Sequence, residues 1–237
     1  MPSPAHIQSQ FARLRAHLAE GRIPLWLKLA YTAFMAVLVP VYWINYGPSN
    51  FLYFCDIALF ITLVGVWRED KLLVSMPAVG ILAPQALWVA DYAAHFAGLT
   101  ITGMTDYMFN AESSRFLRGL SLFHGWLPFM LLFLVWRVGY DRRAFAAWTV
   151  LAWATLLVCY FLMPGPMPNP GNMPVNINYV HGLSDTAAQT WMHPLLWLTG
   201  LMVLMPIALF APVHVLLSRW QRVGLPRQPQ TPDALAA

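Results

Sequence analysis

Residues 50–72 read NFLYFCDIALFITLVGVWREDKL. From Asn50 to Trp67 the only charged residue is Asp56, and the run then stops at the charged knot Arg68-Glu69-Asp70-Lys71. A membrane helix needs about 20 mostly apolar residues, so this stretch reads as one crossing followed by a hydrophilic turn. Working outward, further runs of the same kind lie at Leu25–Trp43, Leu72–Ala93, Leu117–Trp136, Phe145–Met163 and Met192–Leu217. Pro48, Pro164, Pro166, Pro168 and Pro170 mark breaks between them. The last run is long enough to tilt, and Pro194, Pro206 and Pro212 are its expected kink points. The expected fold is an all-α polytopic bundle of about six transmembrane helices.

Composition agrees. Apolar residues make up 59% of the 237-residue chain and charged residues 10%, against about 25% charged in a soluble domain. Mean hydropathy is +0.55. The 24 charged residues (14 basic, 10 acidic) cannot coat a water-soluble globule of this size. A disordered chain, a disulfide scaffold, a coiled coil and a free cytosolic enzyme are excluded. The pI of 9.3 does not signal nucleic acid, because the basic residues fall between hydrophobic runs and form no basic face. The expected partner is membrane lipid, and the sequence sets no oligomeric state.

Lys and Arg orient the bundle. Arg13, Arg15, Arg22 and Lys28 precede or open the first span, Arg68 and Lys71 follow the second, and Arg137, Arg142 and Arg143 follow the fourth. Arg219, Arg222 and Arg227 follow the sixth, leaving only Arg115 and Arg118 on the opposite side. Both termini are therefore expected in the cytoplasm, in a bacterial inner membrane. Met1–Gly21 lacks the pattern of a cleavable signal. The expected organisation is a cytoplasmic amphipathic segment over 1–23, a transmembrane domain over 24–220 and a disordered, Pro- and Gln-rich tail over 221–237. Two long loops lie on the outer side. Phe96–Phe116 holds Asp106, Asn110 and Glu112; Pro164–Trp191 holds Asn169, Asn172, Asn176 and Asn178 among five prolines. Loops beyond about 12–15 residues tend to be functional, and these two are expected to roof one face.

Depth follows from a rise of about 1.5 Å per residue. Cys55 and Asp56 fall roughly 10–12 Å below the outer mouth of their span, and His124 about 9–13 Å down its own. Asp91, His95, Cys159 and His193 also belong to the outer half. Ionisable groups inside a membrane are costly and mark function by default. The expectation is a polar chamber in the outer half of the bilayer. Polar residues do not continue through the inner half, which argues against a transporter.

Within that chamber several chemistries are open. Cys55 would be a nucleophile if His124 took its proton, with Asp56 or Asp91 orienting the imidazole. Asn178 or loop amides would donate to an oxyanion. Asp56, His124 and His193 would alternatively hold zinc and activate water, although no tight His-x-x-x-His spacing supports this. Structural readings stand beside these. Cys55 is also a small buried apolar residue or half of a Cys55–Cys159 disulfide. Asp56 and His124 also read as an interhelical pair, Asp91 and His95 as an i, i+4 pair, and His193 as an interfacial anchor. A non-catalytic lipid-binding or sensory protein would have these features. Six tryptophans near span ends (Trp26, Trp43, Trp67, Trp136, Trp191, Trp220) fit an aromatic belt.

Phe54-Cys55-Asp56-Ile57-Ala58-Leu59-Phe60, with Asn176-Ile177-Asn178-Tyr179 ahead of the last span, resembles YwaF-type integral membrane proteins. That group is related to a transmembrane phospholipid acyltransferase and to the androgen-induced intramembrane hydrolases of fatty-acid esters. The segment His124-Gly125-Trp126-Leu127-Pro128-Phe129 resembles the surroundings of the group's histidine. The resemblance implies an intramembrane lipid hydrolase or acyltransferase without cofactor. Cys55 and His124 would be its catalytic residues; the polar chamber, read from the residues themselves, adds Asp56 in support and Asp91, Asn178 and His193 in contact with substrate.

Overall fold

A computed structural model describes residues 22–110 and 114–224, with side chains through 220. Among them the chain is helical and contains no strand. The expected surface helix before residue 22, Glu112 and the tail beyond 224 lie outside the described residues.

Helix α1 spans Leu25–Tyr46. A short 3-10 turn, Pro48–Leu52, leads into α2, Phe54–Arg68. Glu69 closes α2 in a left-handed conformation, φ 49°, and Asp70 opens α3, Lys71–Phe96, by accepting the Leu73 N–H at 2.9 Å. Helix α4, Arg115–Ser121, passes through a tightened turn at Leu122 into α5, Phe123–Val138. Helix α6 covers Ala144–Leu162. Helix α7, Pro194–Met205, continues through a widened turn, Pro206–Phe210, into α8, Ala211–Gly224.

Five segments are long and apolar enough to cross a membrane: Leu25–Tyr46, Lys71–Phe96, Arg115–Val138, Ala144–Leu162 and Pro194–Trp220. Their outward faces are apolar. Ile44, Val64, Phe129, Val150, Phe161, Leu204 and Leu216 are all exposed, as are the six tryptophans near the span ends. Such a surface is a membrane protein's, since water would penalise it and lipid does not. Helix α2 is shorter than expected because Asn50–Leu52, read from the sequence as the start of the span, belong to the 3-10 turn instead.

Helix α3 is the central element, packed against α2, α5 and α6. Gly80 allows that packing, because a Cβ there would overlap the Trp148 indole of α6. Pro206 cannot donate to the Met202 carbonyl four residues earlier, and the Trp153 indole of α6 donates to it at 2.7 Å. At the basic end, Glu69 ties the turn after α2 to the start of α1. Its carboxylate accepts from Arg22 N at 2.8 Å and Ile23 N at 3.2 Å, and pairs with Lys28 Nζ at 2.7 Å. Arg137 Nε donates to Arg22 O at 2.7 Å, and Tyr140 pairs with His214 of α8 at 2.6 Å. The opposite end carries both long loops.

Candidate functional site

Asp56 occupies the first turn of α2 and is only 3% exposed. The 3-10 turn before it aims Asn50 inward, so that Asn50 Nδ2 donates to Asp56 Oδ2 at 3.4 Å. The Cys55 thiol donates to the same oxygen at 3.8 Å. Asp56 Oδ1 has no hydrogen-bond partner among the described residues. A buried carboxylate oxygen left unpaired is costly and calls for an explanation.

The facing wall is built by a local irregularity. At Leu122 the helix tightens: the Gly125 N–H donates to Leu122 O at 2.9 Å and not to Ser121 O. The freed Ser121 carbonyl meets His124 Nδ1 at 2.8 Å. A carbonyl only accepts, so Nδ1 carries the proton and Nε2 presents a lone pair. Phe123 and Trp88 hold the ring from its two faces, with centroids at 4.0 and 5.0 Å and planes within 27° and 18°. The Ser121 hydroxyl pairs with Tyr42 of α1 at 2.9 Å. The Tyr42 hydroxyl in turn lies within electrostatic reach of Asp56 and Tyr107. Ser121 thus joins the His124 turn to Tyr42 of α1. Tyr107, from the first roof loop, reaches the Ser121 and Trp88 side chains.

The other candidates have different surroundings. Cys55 and His124 share no hydrogen bond, and the partner of the Cys55 thiol is Asp56. Both cysteines are free, which removes the disulfide. Asp91 does not orient His124. Its carboxylate is 1% exposed and takes the N–H groups of Ile101, Thr102 and Thr105 at 2.9, 2.7 and 3.1 Å, with the Thr105 hydroxyl at 2.7 Å. It anchors the first roof loop to α3. His95 does not pair with Asp91 either: it faces Asp106 at 3.8 Å and stacks on Phe109 with centroids 3.7 Å apart.

Asn178 joins the second roof loop to the entry of α2. Its Oδ1 accepts from Phe54 N at 3.2 Å, and its Nδ2 donates to Leu52 O at 2.8 Å and lies 3.6 Å from Cys159 Sγ. His193 is exposed, and its Nδ1 caps α7 by accepting from Leu195 N at 3.3 Å. Among the described residues no three His, Cys, Asp or Glu side chains gather in a way that could hold a metal ion. Asp56, His124 and His193 are not gathered together in this way.

The second roof loop is strained. Asn176, Asn178 and Tyr179 have φ of 47°, 59° and 61°, and a bulky residue such as tyrosine rarely adopts that region. Hydrogen bonds hold it there. Asn176 Nδ2 donates to Gly182 O and Ser184 O at 2.8 and 3.0 Å, and Trp197 Nε1 donates to Tyr179 O at 2.7 Å. Strain of this kind tends to collect at ligand sites. Burial in the same loop pushes the Asp185 carboxyl above its ordinary pKa, against the pull of Asn176, and pushes His181 below.

Sequence reasoning missed Tyr42, Gln85, Trp88, Tyr107 and Ser121. Gln85 had one legible signal, an uncharged polar residue alone in an apolar run. Comparison with protein-family models, curated proteins and solved structures gives no match to this chain.

Proposed function

We propose that the chain crosses the plasma membrane six times, with both termini in the cytoplasm, and transfers or hydrolyses lipid-borne acyl groups in a chamber at its outer side. The sixth crossing is α2 with the turn before it. At about 1.5 Å per helical residue and 2.0 Å per 3-10 residue, Pro48–Arg68 reaches roughly 30 Å, the hydrocarbon thickness. Basic residues favour this orientation: Arg22, Lys28, Arg68, Lys71, Arg137, Arg142, Arg143 and Arg219 sit at the end opposite the two long loops.

The observation that carries the chemistry is the His124 ring. Ser121 fixes it in the Nδ1–H form, which leaves Nε2 as the proton acceptor for the proposed reaction. Cys55 Sγ attacks the acyl carbonyl as its thiol proton passes to Asp56, the group it already hydrogen-bonds. The bond to the headgroup heteroatom breaks, that heteroatom takes the proton, and a thioester remains on Cys55. Water then attacks the thioester and gives its proton to His124 Nε2. The proton returns to the departing thiolate, releasing fatty acid and restoring the thiol. A second headgroup alcohol or amine in place of water makes the reaction a transfer. The resemblance of Phe54–Phe60 to intramembrane hydrolases agrees with acyl chemistry.

The test is single-turnover acyl release from lipid by the full chain in nanodiscs. Cys55→Ala abolishes it, and Asp56→Asn and His124→Gln each slow it by about 10²-fold or more. Undiminished release by Cys55→Ala sinks the reaction.

A further inference from the structure

Gln85 lies on α3, is 2% exposed, and neither its Nε2 nor its Oε1 has a hydrogen-bond partner among the described residues. The packing of α2 on α3 shows what it faces. A Cβ at Gly65 would lie 3.1 Å from the Leu73 carbonyl carbon and 3.2 Å from Val74 N. The two antiparallel helices are therefore level at residues 65 and 74. Eleven residues farther toward the roof, each helix has risen by the same amount and turned through about three whole turns plus 20°. That step leads to Phe54 on α2 and Gln85 on α3. On ideal helix geometry Gln85 therefore comes level with the first turn of α2, the turn that carries Cys55 and Asp56.

The unpaired atoms at this level define a complement. With Asp56 as the carboxylate, its Oδ1 and Gln85 Oε1 accept, and Gln85 Nε2 donates. A fitting ligand supplies two donors and one carbonyl. We infer that the chamber takes an acyl amide of an amino alcohol, with the Gln85 Nε2 on the acyl carbonyl and the ligand's amide N–H and hydroxyl shared between Gln85 Oε1 and Asp56 Oδ1. An acyl ester of a diol has the same shape but only one donor, and leaves one buried acceptor unpaired. The inference rests on the acyl-group reading above and narrows it to amide-linked lipids. Gln85 is a binding residue that touches the carbonyl, and no covalent step is assigned to it.

The experiment is a tryptophan-fluorescence titration of the full chain in nanodiscs with N-oleoylethanolamine and its ester isostere, 2-hydroxyethyl oleate. It is run on the native protein and on Cys55→Ala, where no turnover interferes. The amide binds more tightly by about tenfold or more, as a stranded buried acceptor demands. Gln85→Met keeps the volume, removes both orphan atoms and brings the two lipids within about twofold of each other. Equal affinities in the native chain, no binding of either lipid, or an amide preference that survives Gln85→Met each overturns the inference. Amide preference without acyl release overturns the reaction alone, and acyl release without the preference overturns the ligand class alone.

Discussion

At the scale of single residues, Asp91 and His124 show opposite uses of a buried polar group. Asp91 is saturated: backbone N–H groups and the Thr105 hydroxyl occupy both oxygens. Its task is to hold a loop. Asp91→Asn turns one acceptor into a donor facing other donors and lowers stability by about 2–3 kcal/mol. Thermal unfolding in detergent checks this, and an unchanged melting temperature contradicts the assignment. His124 commits one nitrogen to the Ser121 carbonyl, and the other is the atom the proposed reaction uses. Sequence singled out both residues because ionisable groups in apolar runs are conspicuous. It did not distinguish their tasks. The donors on Asp91 are backbone N–H groups that any loop possesses, and the carbonyl on His124 is freed by a one-residue tightening that no residue type announces. Ser121 was silent, and the one signal of Gln85 was weak, because small or neutral polar residues are cheap enough in a helix to be common.

At the scale of elements, the apolar runs were legible and their ends were not. Five of the six expected runs became helices long enough to cross a membrane. The sixth was shortened because Gly47, at φ 79°, and Pro48 divert the chain into a 3-10 turn before α2 begins. That turn brings Asn50 over Asp56. The junction at the basic end has a pH dependence. Burial raises the Glu69 pKa, but the Lys28 ammonium and the Arg22 and Ile23 N–H groups outweigh it and hold the carboxyl below its ordinary value. A depressed carboxylate pKa adds stability above the unfolded value, which is lost as pH falls through the folded one. The link between α1 and the turn after α2 therefore weakens as pH falls below about 4.5. Glu69→Gln abolishes this part of the acid dependence. Melting curves from pH 7 to pH 3 on both chains measure it, and identical pH profiles contradict it.

At the scale of the molecule, the two ends differ in kind. One is basic, with the short turns Glu69–Asp70 and Gly139–Arg143. The other carries two long loops, pinned by Asp91 and Asn178 above an internal polar neighbourhood. A cytosol-dependent fluorescent reporter fused after Ala237 is expected to be bright, and a periplasm-dependent enzymatic reporter at the same site inactive. The reverse pattern overturns the orientation and puts the chamber on the other side of the membrane. Counting residues down each span gives an expected depth for every polar group of the proposed chamber. Its membership was not legible that way, because depth says nothing about which way a side chain points around its helix.

Trp153 and Pro206 stand 53 positions apart in the chain, yet they serve one carbonyl together. The ring nitrogen of the proline silences a donor, and the indole supplies its replacement from the neighbouring helix. A lineage that exchanges the proline restores a helix donor to the Met202 oxygen, which then no longer depends on the indole. A lineage that exchanges the tryptophan strands the oxygen instead. Descendants of this chain that keep the proline should therefore keep the tryptophan, and loss of the tryptophan alone should be the rare class.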